Sequence, residues 1–546
     1  MWARNLLFLG LCSAGLAALA ANLSPTLKPA EQRQLRVFDR PPADLRATVD
    51  RLNAAFADRR SAAAGPPAEQ ADDLTIARRL SLALAGTIPS VEEIRWFESL
   101  PAERRLNDWL GALLTDRRHH DYLAERLARA YVGVQDGPFI VYRRRRFVAW
   151  LADQLAENRP YDQIVADLIA ESGLWTDRPA TNFITVTVKP DEKKGPDPNA
   201  LAARVSRAFL GIRIDCAECH DHPFEPWKQA DFQGLAAFFG QTEQGFTGIH
   251  DRQGEYKIEN RVTGAMETIE LRVPYQSELL PKTGELRHRL AEWATHPQNK
   301  AFSRAIANRI WALLFGRPLV EPIDDVHAGD DLPPALDILA DDFVAHGHDL
   351  RRLIQIIALS DAFTRDSRVD SSAEGYSAGS PSLARPADWT VFPITRLRPE
   401  QVVGSLLQSG SLKTIDYESH ILVRFARATG QNDFIQRYGD DGEEEFSPQG
   451  GTIPQRLLMM NGKQVTEKTS DSIVNNAATQ IAVLAASDER AIETAYLAVL
   501  TRRPTLDEAR YFSQKLADSG DRRSRRQKVE DLVWTLLNST EFSWNH

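Results

Sequence analysis

The stretch FVAWLADQL at residues 147–155 shows the pattern that decides the fold. Its large apolar residues Phe147, Trp150, Leu151 and Leu155 recur every three or four positions, which places them on one face of an α-helix. Pro160 follows and lacks the backbone donor that a longer helix would need. The stretch therefore predicts an amphipathic helix with one buried face.

The same spacing recurs on both sides of this stretch. It predicts helices near residues 45–56, 104–115, 121–132, 161–169 and 199–210, then across 286–362, and finally near 399–409, 473–486, 489–500 and 528–538. Two capping boxes, Ser90-Val91-Glu92-Glu93 and Thr505-Leu506-Asp507-Glu508, indicate further helix starts. We therefore expect an all-α, multi-helical fold.

One region departs from the helical pattern. Residues 256–260 and 268–273 are typical of short strands, which predicts a small β insertion around residues 250–275. The chain of 546 residues exceeds the size of a single core, so we expect two or three domains. The predicted segments are a signal peptide (1–21), an extended lead-in (22–71), a helical domain (72–245), the β insertion (246–280) and a second helical domain (281–546) with a linker near 366–388.

The first 21 residues resemble a secretory signal. Arg4 precedes an apolar stretch over residues 6–19, and Ala18-Leu19-Ala20 matches a cleavage site. An uncleaved N-terminal anchor is the alternative. No later segment approaches the length of a transmembrane span. We therefore expect an exported, periplasmic or otherwise extracytoplasmic chain without a membrane span after signal removal.

The amino-acid composition argues against some classes of function. The apolar fraction of 43% and the charged fraction of 26% are ordinary for a soluble globular protein. A net charge of -9 argues against nucleic acid as the main partner, because phosphate binding needs a basic face. Signal removal takes Cys12 and leaves only Cys216 and Cys219, which excludes a disulfide-rich scaffold.

The run Cys216-Ala217-Glu218-Cys219-His220 is the main chemical feature. A c-type haem is held by two thioether bonds from cysteines that lie two residues apart, and the histidine that follows is the proximal iron ligand. The sequence therefore predicts covalent haem c on Cys216 and Cys219, with His220 on the iron. Attachment requires export, which the signal peptide would provide.

Two other interpretations of this run remain open. Thiolate and imidazole groups also suit zinc or iron, so Cys216, Cys219, His220 and His222 could form a non-haem metal site. Four ligands within seven residues would be crowded. The two cysteines could instead form a redox disulfide.

The second axial ligand of the iron is open as well. Candidates are Met460 beside Met459, His250 and His222, although His222 is too near His220 to reach the opposite face easily. Core packing is an equally good interpretation of Met459 and Met460. Phe224 and Trp227 could pack on a porphyrin edge or simply fill the core.

Paired carboxylates suggest a third function class. Such pairs lie at residues 324–325, 330–331 and 440–441, and a hydrolase directed at polysaccharide would need two carboxylates. Their Gly- and Pro-bounded settings favour solvated turns instead. No phosphate loop, nucleophile elbow or His-Glu-x-x-His helix is present, so whether the protein is an enzyme stays open.

The cysteine run lies within a wider resemblance. Residues 216–224 (CAECHDHPF), Trp227 and residues 234–239 (GLAAFF) resemble the planctomycete-specific cytochrome-like domain of the PSCyt type, as do residues 79–82 and 88–93. Residues 308–311 (NRIW), 315–325 (FGRPLVEPIDD), 458–461 and 537–542 are similar to the companion domain of the PSD type. Together these matches cover nearly the whole mature chain.

The resemblance implies a bacterial exported protein with paired domains of unknown function, in which Cys216 and Cys219 attach haem. Many relatives carry a separate N-terminal cytochrome c domain, which this chain lacks, so we expect one haem. The function predicted from the sequence is electron transfer or redox chemistry in the cell envelope, with a redox partner protein there.

Overall fold

The computed structural model describes residues 42–58, 66–134, 142–188, 195–259, 264–326, 332–368, 389–416, 434–435, 437–438, 446, 452–462 and 476–546. The predicted signal peptide, residues 369–388 of the predicted linker, and the aspartate pairs at 330–331 and 440–441 lie outside these residues. Among the described helices, none is both long enough and apolar enough to cross a lipid bilayer.

The described chain is mostly helical, as the sequence predicts. The helices of the first half are α1 (Ala43–Asp58), α2 (Asp73–Ala85), α3 (Val91–Ser99), α4 (Arg105–Leu114), α5 (Arg117–Val132), α6 (Arg144–Ala156), α7 (Tyr161–Ala170), α8 (Asn182–Thr185), α9 (Pro198–Val205) and α10 (Gln229–Ala236). The helices of the second half are α11 (Leu286–Ala294), α12 (Lys300–Phe315), α13 (Pro334–Ala345), α14 (Leu350–Ala358), α15 (Asp361–Thr364), α16 (Pro399–Ser409), α17 (Ile453–Asn461), α18 (Ala477–Leu484), α19 (Asp488–Leu500), α20 (Leu506–Ala517) and α21 (Arg522–Leu537).

Local sequence signals explain these helices well. Helix α6 buries Phe147, Leu151 and Leu155, which is the face that the opening stretch predicts. Ser90 caps α3 through a reciprocal pair of hydrogen bonds with Glu93, at 2.8 and 3.0 Å. The same capping box begins α20. Each of these features satisfies backbone donors that a helix start leaves unpaired.

The strands form three antiparallel pairs, β1 (Thr242–Gly245) with β2 (Gly248–Asp251), β3 (Lys257–Glu259) with β4 (Met266–Thr268), and β5 (Thr395–Arg396) with β6 (Trp544–Asn545). The small β insertion is thus present, but two details of the prediction were wrong. The pair β1–β2 begins before the predicted insertion, and the predicted strand at 268–273 ends at Thr268. Beyond Thr268 the chain turns towards α10, where the Arg272 N–H donates to the Gly234 carbonyl at 3.3 Å.

A close backbone contact holds the β1–β2 hairpin in place. Gly173 and Ile249 exchange two backbone hydrogen bonds, at 2.8 and 2.9 Å. Gly248, with φ of 98°, lies so close to Gly173 that a Cβ atom built on it would overlap the Gly173 carbonyl. Only glycine fits both the conformation and the space. The hairpin is therefore fixed to the segment that follows α7.

Two hydrophobic cores stabilise the protein. The first contains buried residues from α1 to α15 and includes residues on both sides of the β insertion. Arg287 of α11, for example, is fully buried and donates to the carbonyls of Ile169 and Glu171, at 3.2 and 2.8 Å. The two predicted helical regions therefore pack as one continuous core across their boundary.

The second core joins the end of the chain to its beginning. Its buried residues come from α16 to α21, together with Leu82 of α2 and Ile88. On the same helix α2, the buried Arg78 donates to the carbonyls of Val499 and Phe542, at 3.4 and 3.3 Å. Helix α2 thus contributes to both cores and connects them.

Candidate functional site

The turn that carries the two cysteines follows from α9. This helix continues into a π turn at Ser206–Leu210, and Gly211 ends it in the left-handed conformation with φ of 61°. A Cβ atom on Gly211 would lie 3.2 Å from the Ala305 Cβ atom, so glycine suits both the backbone and the neighbouring helix. A 3₁₀ turn over Asp215–Glu218 then presents the motif.

Ala217 anchors this turn to the protein. Its side chain is fully buried in the first core, and its N–H donates to the Ile214 carbonyl at 2.9 Å. The neighbouring Cys216, Cys219 and His220 are exposed, and both thiols are free. The structure therefore brings the three residues predicted to hold haem together on one exposed, anchored turn.

The imidazole of His220 has a defined tautomer in its neutral form. Its Nδ1 atom lies 2.7 Å from the Asp221 carbonyl oxygen. Because a carbonyl only accepts, Nδ1 carries the hydrogen, and Nε2 keeps a lone pair. Metal-ligating histidines are commonly oriented by this kind of bond. Nε2 is thus the atom of His220 that can bind a metal.

His222 has the opposite arrangement. Its Nδ1 atom accepts from the N–H groups of Phe224 and Glu225, at 3.2 and 2.9 Å, and these bonds close the loop after the motif. A neutral ring that accepts at Nδ1 carries its hydrogen on Nε2. His222 as a metal ligand stays a prediction, and it would require this ring to change its bonding.

Hydrogen bonds also hold the turn from its exposed side. Asn199 of α9 donates to the Glu218 carboxylate at 3.0 Å, and Gln229 of α10 donates to the Glu218 carbonyl at 3.2 Å. The Gln229 N–H also donates to the Asp221 carboxylate at 2.9 Å. Two helices therefore position the turn and the residue that orients His220.

Ion pairs fix the segment on the other side of the turn. Asp215, next to Cys216, accepts from Arg207 at 3.0 Å. Burial raises the pKa of Asp215, but the hydrogen bonds and charge of Arg207 outweigh it and hold the pKa below its usual value. Asp324 accepts from Arg213 at 2.7 Å and lies 3.6 Å from Arg207. Both carboxylates are therefore engaged by arginine side chains in the fold.

The position of Asp324 differs from the solvated turn that its sequence predicts. Its side chain is 17% exposed because two arginines cover it, and the backbone N–H of Arg213 donates to the neighbouring Asp325 at 3.4 Å. Asp324 is therefore part of an ion-pair cluster and not of a solvated turn. Within the described ranges, no group of three or more His, Cys, Asp or Glu side chains is arranged to hold a metal ion.

The remaining predicted iron ligands lie on other elements. His250 is on β2, half-buried, and its Nδ1 lies 3.2 Å from the Gly248 carbonyl. Met460 is 39% exposed on α17, whereas Met459 is buried in the second core. Met459 thus fills a core, while the second axial ligand stays a prediction.

The two aromatic residues after the motif have different surroundings. Trp227 is half-buried and packs against Tyr275, with 6.4 Å between ring centroids. Phe224 is 91% exposed. Of the two, Phe224 is therefore available to a bound group, and Trp227 already supports the fold.

The sequence analysis missed a cavity of about 340 Å³ beside this turn. Its charged lining residues are Arg129, Arg204, Arg207, Asp215, Arg309 and Asp324. They come from α5, α9 and α12 and from the segments around Asp215 and Asp324, so no local pattern indicates the cavity. The only available signal was Arg309 within the NRIW run at residues 308–311.

Comparison with known families agrees with the resemblance. The family model PSCyt2, a protein of unknown function (DUF1549), matches residues 51–244, and the model PSD1, a protein of unknown function (DUF1553), matches residues 286–516. No curated protein and no solved structure matches the chain. The chain therefore belongs to the proteins in which a PSCyt2 region is followed by a PSD1 region.

Proposed function

We propose that the protein is an exported, single-haem, c-type cytochrome-like protein that serves electron transfer or other redox chemistry in the cell envelope. One observation carries this proposal. The free thiols of Cys216 and Cys219 are exposed on one anchored turn, and the next residue, His220, has an Nε2 lone pair free. These are the three groups that haem attachment requires.

The residues present fit the group. Cys216 Sγ and Cys219 Sγ would each form a thioether bond with a vinyl carbon, and His220 Nε2 would bind the iron. Bound haem supplies a metal that changes its charge by one electron. The protein's own contribution is to hold these atoms in place, because a defined ligand orientation tunes the metal.

Three contacts perform that positioning. The buried Ala217 keeps the turn seated, the Asp221 carbonyl keeps Nδ1 of His220 protonated, and Gln229 fixes Asp221. Exposure of the motif leaves room for the macrocycle to approach. The exposed ring of Phe224 would then gain a large apolar neighbour, which would remove apolar surface from water.

The test is to produce the full chain in a bacterial strain with haem-maturation machinery. We expect a Soret absorption band and an intact mass that includes one covalently bound haem. Cys216→Ala and Cys219→Ala should each lose a thioether bond, and the double variant should lose all covalent haem. His220→Ala should shift or remove the absorption spectrum of the haem, because it removes the proposed proximal ligand.

A matched control is His288→Ala, because His288 is also an exposed histidine and pairs only with Glu285 among the residues described, at 3.2 Å. This variant should keep the full spectrum. A colourless wild-type protein that contains zinc or non-haem iron would instead support a metal site on Cys216, Cys219, His220 and His222. A colourless protein without metal would overturn both.

The alternative function, a polysaccharide-directed hydrolase, is tested by the double cysteine variant together with Asp325→Ala. Hydrolysis that survives the loss of both cysteines but is lost in Asp325→Ala would support it. The ion pairs of Asp324 argue against it, because they direct this carboxylate at Arg213 and Arg207, whereas a general acid must reach its substrate.

A further inference from the structure

The cavity beside the cysteine turn has a basic lining. Four arginines face two aspartates there, so the lining carries a formal net charge of 4 - 2 = +2. Arg129 donates to Glu400 at 2.8 Å, Arg204 donates to the Tyr131 carbonyl at 2.9 Å, and Arg207 is bound by Asp215. These contacts position three of the guanidinium groups at the wall.

The fourth arginine has no such partner. Arg309 is only 8% exposed, and among the residues described it makes no hydrogen bond or ion pair. A guanidinium on a mostly buried side chain without a protein acceptor is poorly compensated for its reduced contact with water. Within the described part of the chain, Arg309 therefore has no hydrogen-bond acceptor and no paired carboxylate.

The two tyrosines that interact electrostatically with Arg309 do not supply a negative charge. The hydroxyls of Tyr131 and Tyr161 lie 2.7 Å apart, and both rings feel the charge of Arg309. Burial raises the pKa of Tyr161 to about 12 and raises that of Tyr131 well above its usual value. Both phenols are therefore neutral at physiological pH and supply no counter-charge to Arg309.

We propose that this cavity binds a small organic anion through a carboxylate or phosphate group, with Arg309 as its main counter-charge. Arginine suits such groups because its planar N–H donors match two oxygens at once. The volume of about 340 Å³ is that of a small-molecule site. The alanines of α9 that line it, such as Ala200, leave room for the carbon part of the ligand.

The anionic group has two sources. One is a free metabolite, and the other is a propionate of a haem attached at Cys216, which directly follows the lining residue Asp215. The first source does not depend on the proposed haem function, whereas the second does. Both present the same oxyanion chemistry to Arg309.

Isothermal titration calorimetry on the full chain tests the proposal, first with protein made without haem-maturation machinery. The probes are inorganic phosphate and succinate, at low chloride concentration. We expect binding that weakens as salt rises, because the attraction is partly screened. Arg309→Gln should weaken it at least about ten-fold, and Ala200→Leu should weaken it by filling the cavity. Arg510→Gln is the matched control, since Arg510 is an exposed surface arginine paired with Asp507.

The two sources give different results with haem-loaded protein. Binding of phosphate or succinate to both forms identifies a free anion as the ligand, and binding to the haem-free form alone identifies the propionate. Absence of binding to haem-free protein, or equal affinities for wild type and for folded Arg309→Gln and Ala200→Leu variants, overturns the proposal. Circular dichroism establishes that each variant is folded. The measurements on haem-free protein can be made whether or not haem is ever attached, so this part of the test is separate from the test of the haem function.

Discussion

Arg213 holds Asp324 through two hydrogen bonds, from Nε at 3.0 Å and from a terminal nitrogen at 2.7 Å. Arg213 lies just before the cysteine motif in the PSCyt2 region, and Asp324 lies in the PSD1 region. Beside this pair, the Val326 N–H donates to the Gly211 carbonyl at 2.6 Å. The second region therefore fixes the segment that leads into a motif of the first, so the site depends on both.

Removing the carboxylate of Asp324 should weaken this connection. We expect Asp324→Ala to lower the free energy of unfolding by about 1–2 kcal/mol, because Arg213 loses both of its hydrogen bonds to this carboxylate and Arg207 loses a nearby opposite charge. Glu321→Ala is the matched control, since Glu321 is 53% exposed and pairs with Arg317 on the surface. It should cost less than about 0.5 kcal/mol. Urea unfolding of both variants measures the difference, and equal losses would count against the connection.

A larger side chain should destabilise the cysteine turn more at its buried position, Ala217, than at its exposed position, Glu218. Ala217→Leu places three extra carbons in a fully buried site and should lower the free energy of unfolding by about 1–3 kcal/mol. Glu218→Leu introduces the same side chain at the exposed neighbouring position and should cost less than about 1 kcal/mol. Urea unfolding compares the two. If Glu218→Leu were the more damaging, the turn would not be anchored through Ala217.

Features that depend on near neighbours in sequence were predictable. The helix around residues 147–155 and both capping boxes follow from spacing and from hydrogen bonds that span three residues. The β insertion was only partly predictable. The position of β2 depends on its contact with Gly173, and the end of β4 depends on the contact that the following segment makes with Gly234. Both glycines are distant in sequence, so the apolar–polar alternation that predicts a strand cannot reveal these contacts.

The same distinction applies to the candidate site. Cys216, Cys219 and His220 are adjacent in sequence, so their proximity needed no knowledge of the fold. The residues that hold them are not adjacent, since Arg213 and Asp324 are 111 positions apart. A paired aspartate in a Gly- and Pro-rich segment looks like a solvated turn until its partners are known. The role of Arg309 could not be predicted for the same reason, because the cavity that it lines forms only where three helices meet.

Two buried histidines should make the protein sensitive to acid. Burial lowers the pKa of His119 to about 3 and that of His120 to about 4. At pH 5 both are neutral in the native state, whereas histidines of the unfolded chain, with a pKa near 6.5, bind protons. The free energy of unfolding therefore falls as the pH decreases from about 6.5 towards 4, by up to about 1.4 kcal/mol per pH unit for each histidine.

Replacing one of them tests this origin of the pH dependence. His120→Gln removes a titrating group and should reduce the loss of unfolding free energy between pH 7 and pH 5 by roughly 1–2 kcal/mol. His288→Gln, at an exposed histidine, should leave the pH dependence unchanged. Urea unfolding at the two pH values gives both results. An unchanged slope in His120→Gln would show that this ring titrates alike in the folded and unfolded chains.

Alanine substitutions at two glycines distinguish the cost of backbone strain from the cost of a steric clash. Gly248 and Gly264 both have positive φ, of 98° and 68°. Among the described residues, only Gly248 has a neighbour, the Gly173 carbonyl, in the space that a Cβ atom would occupy. Gly264→Ala should therefore cost only the strain of the left-handed backbone, about 1–2 kcal/mol. Gly248→Ala should cost a further ~1–3 kcal/mol, because the β1–β2 hairpin must move away from the segment after α7. Urea unfolding gives the two losses, and hydrogen exchange at the Gly173 and Ile249 amides reports whether the hairpin has detached. Equal losses with both amides still protected would mean that the hairpin is not held by this contact.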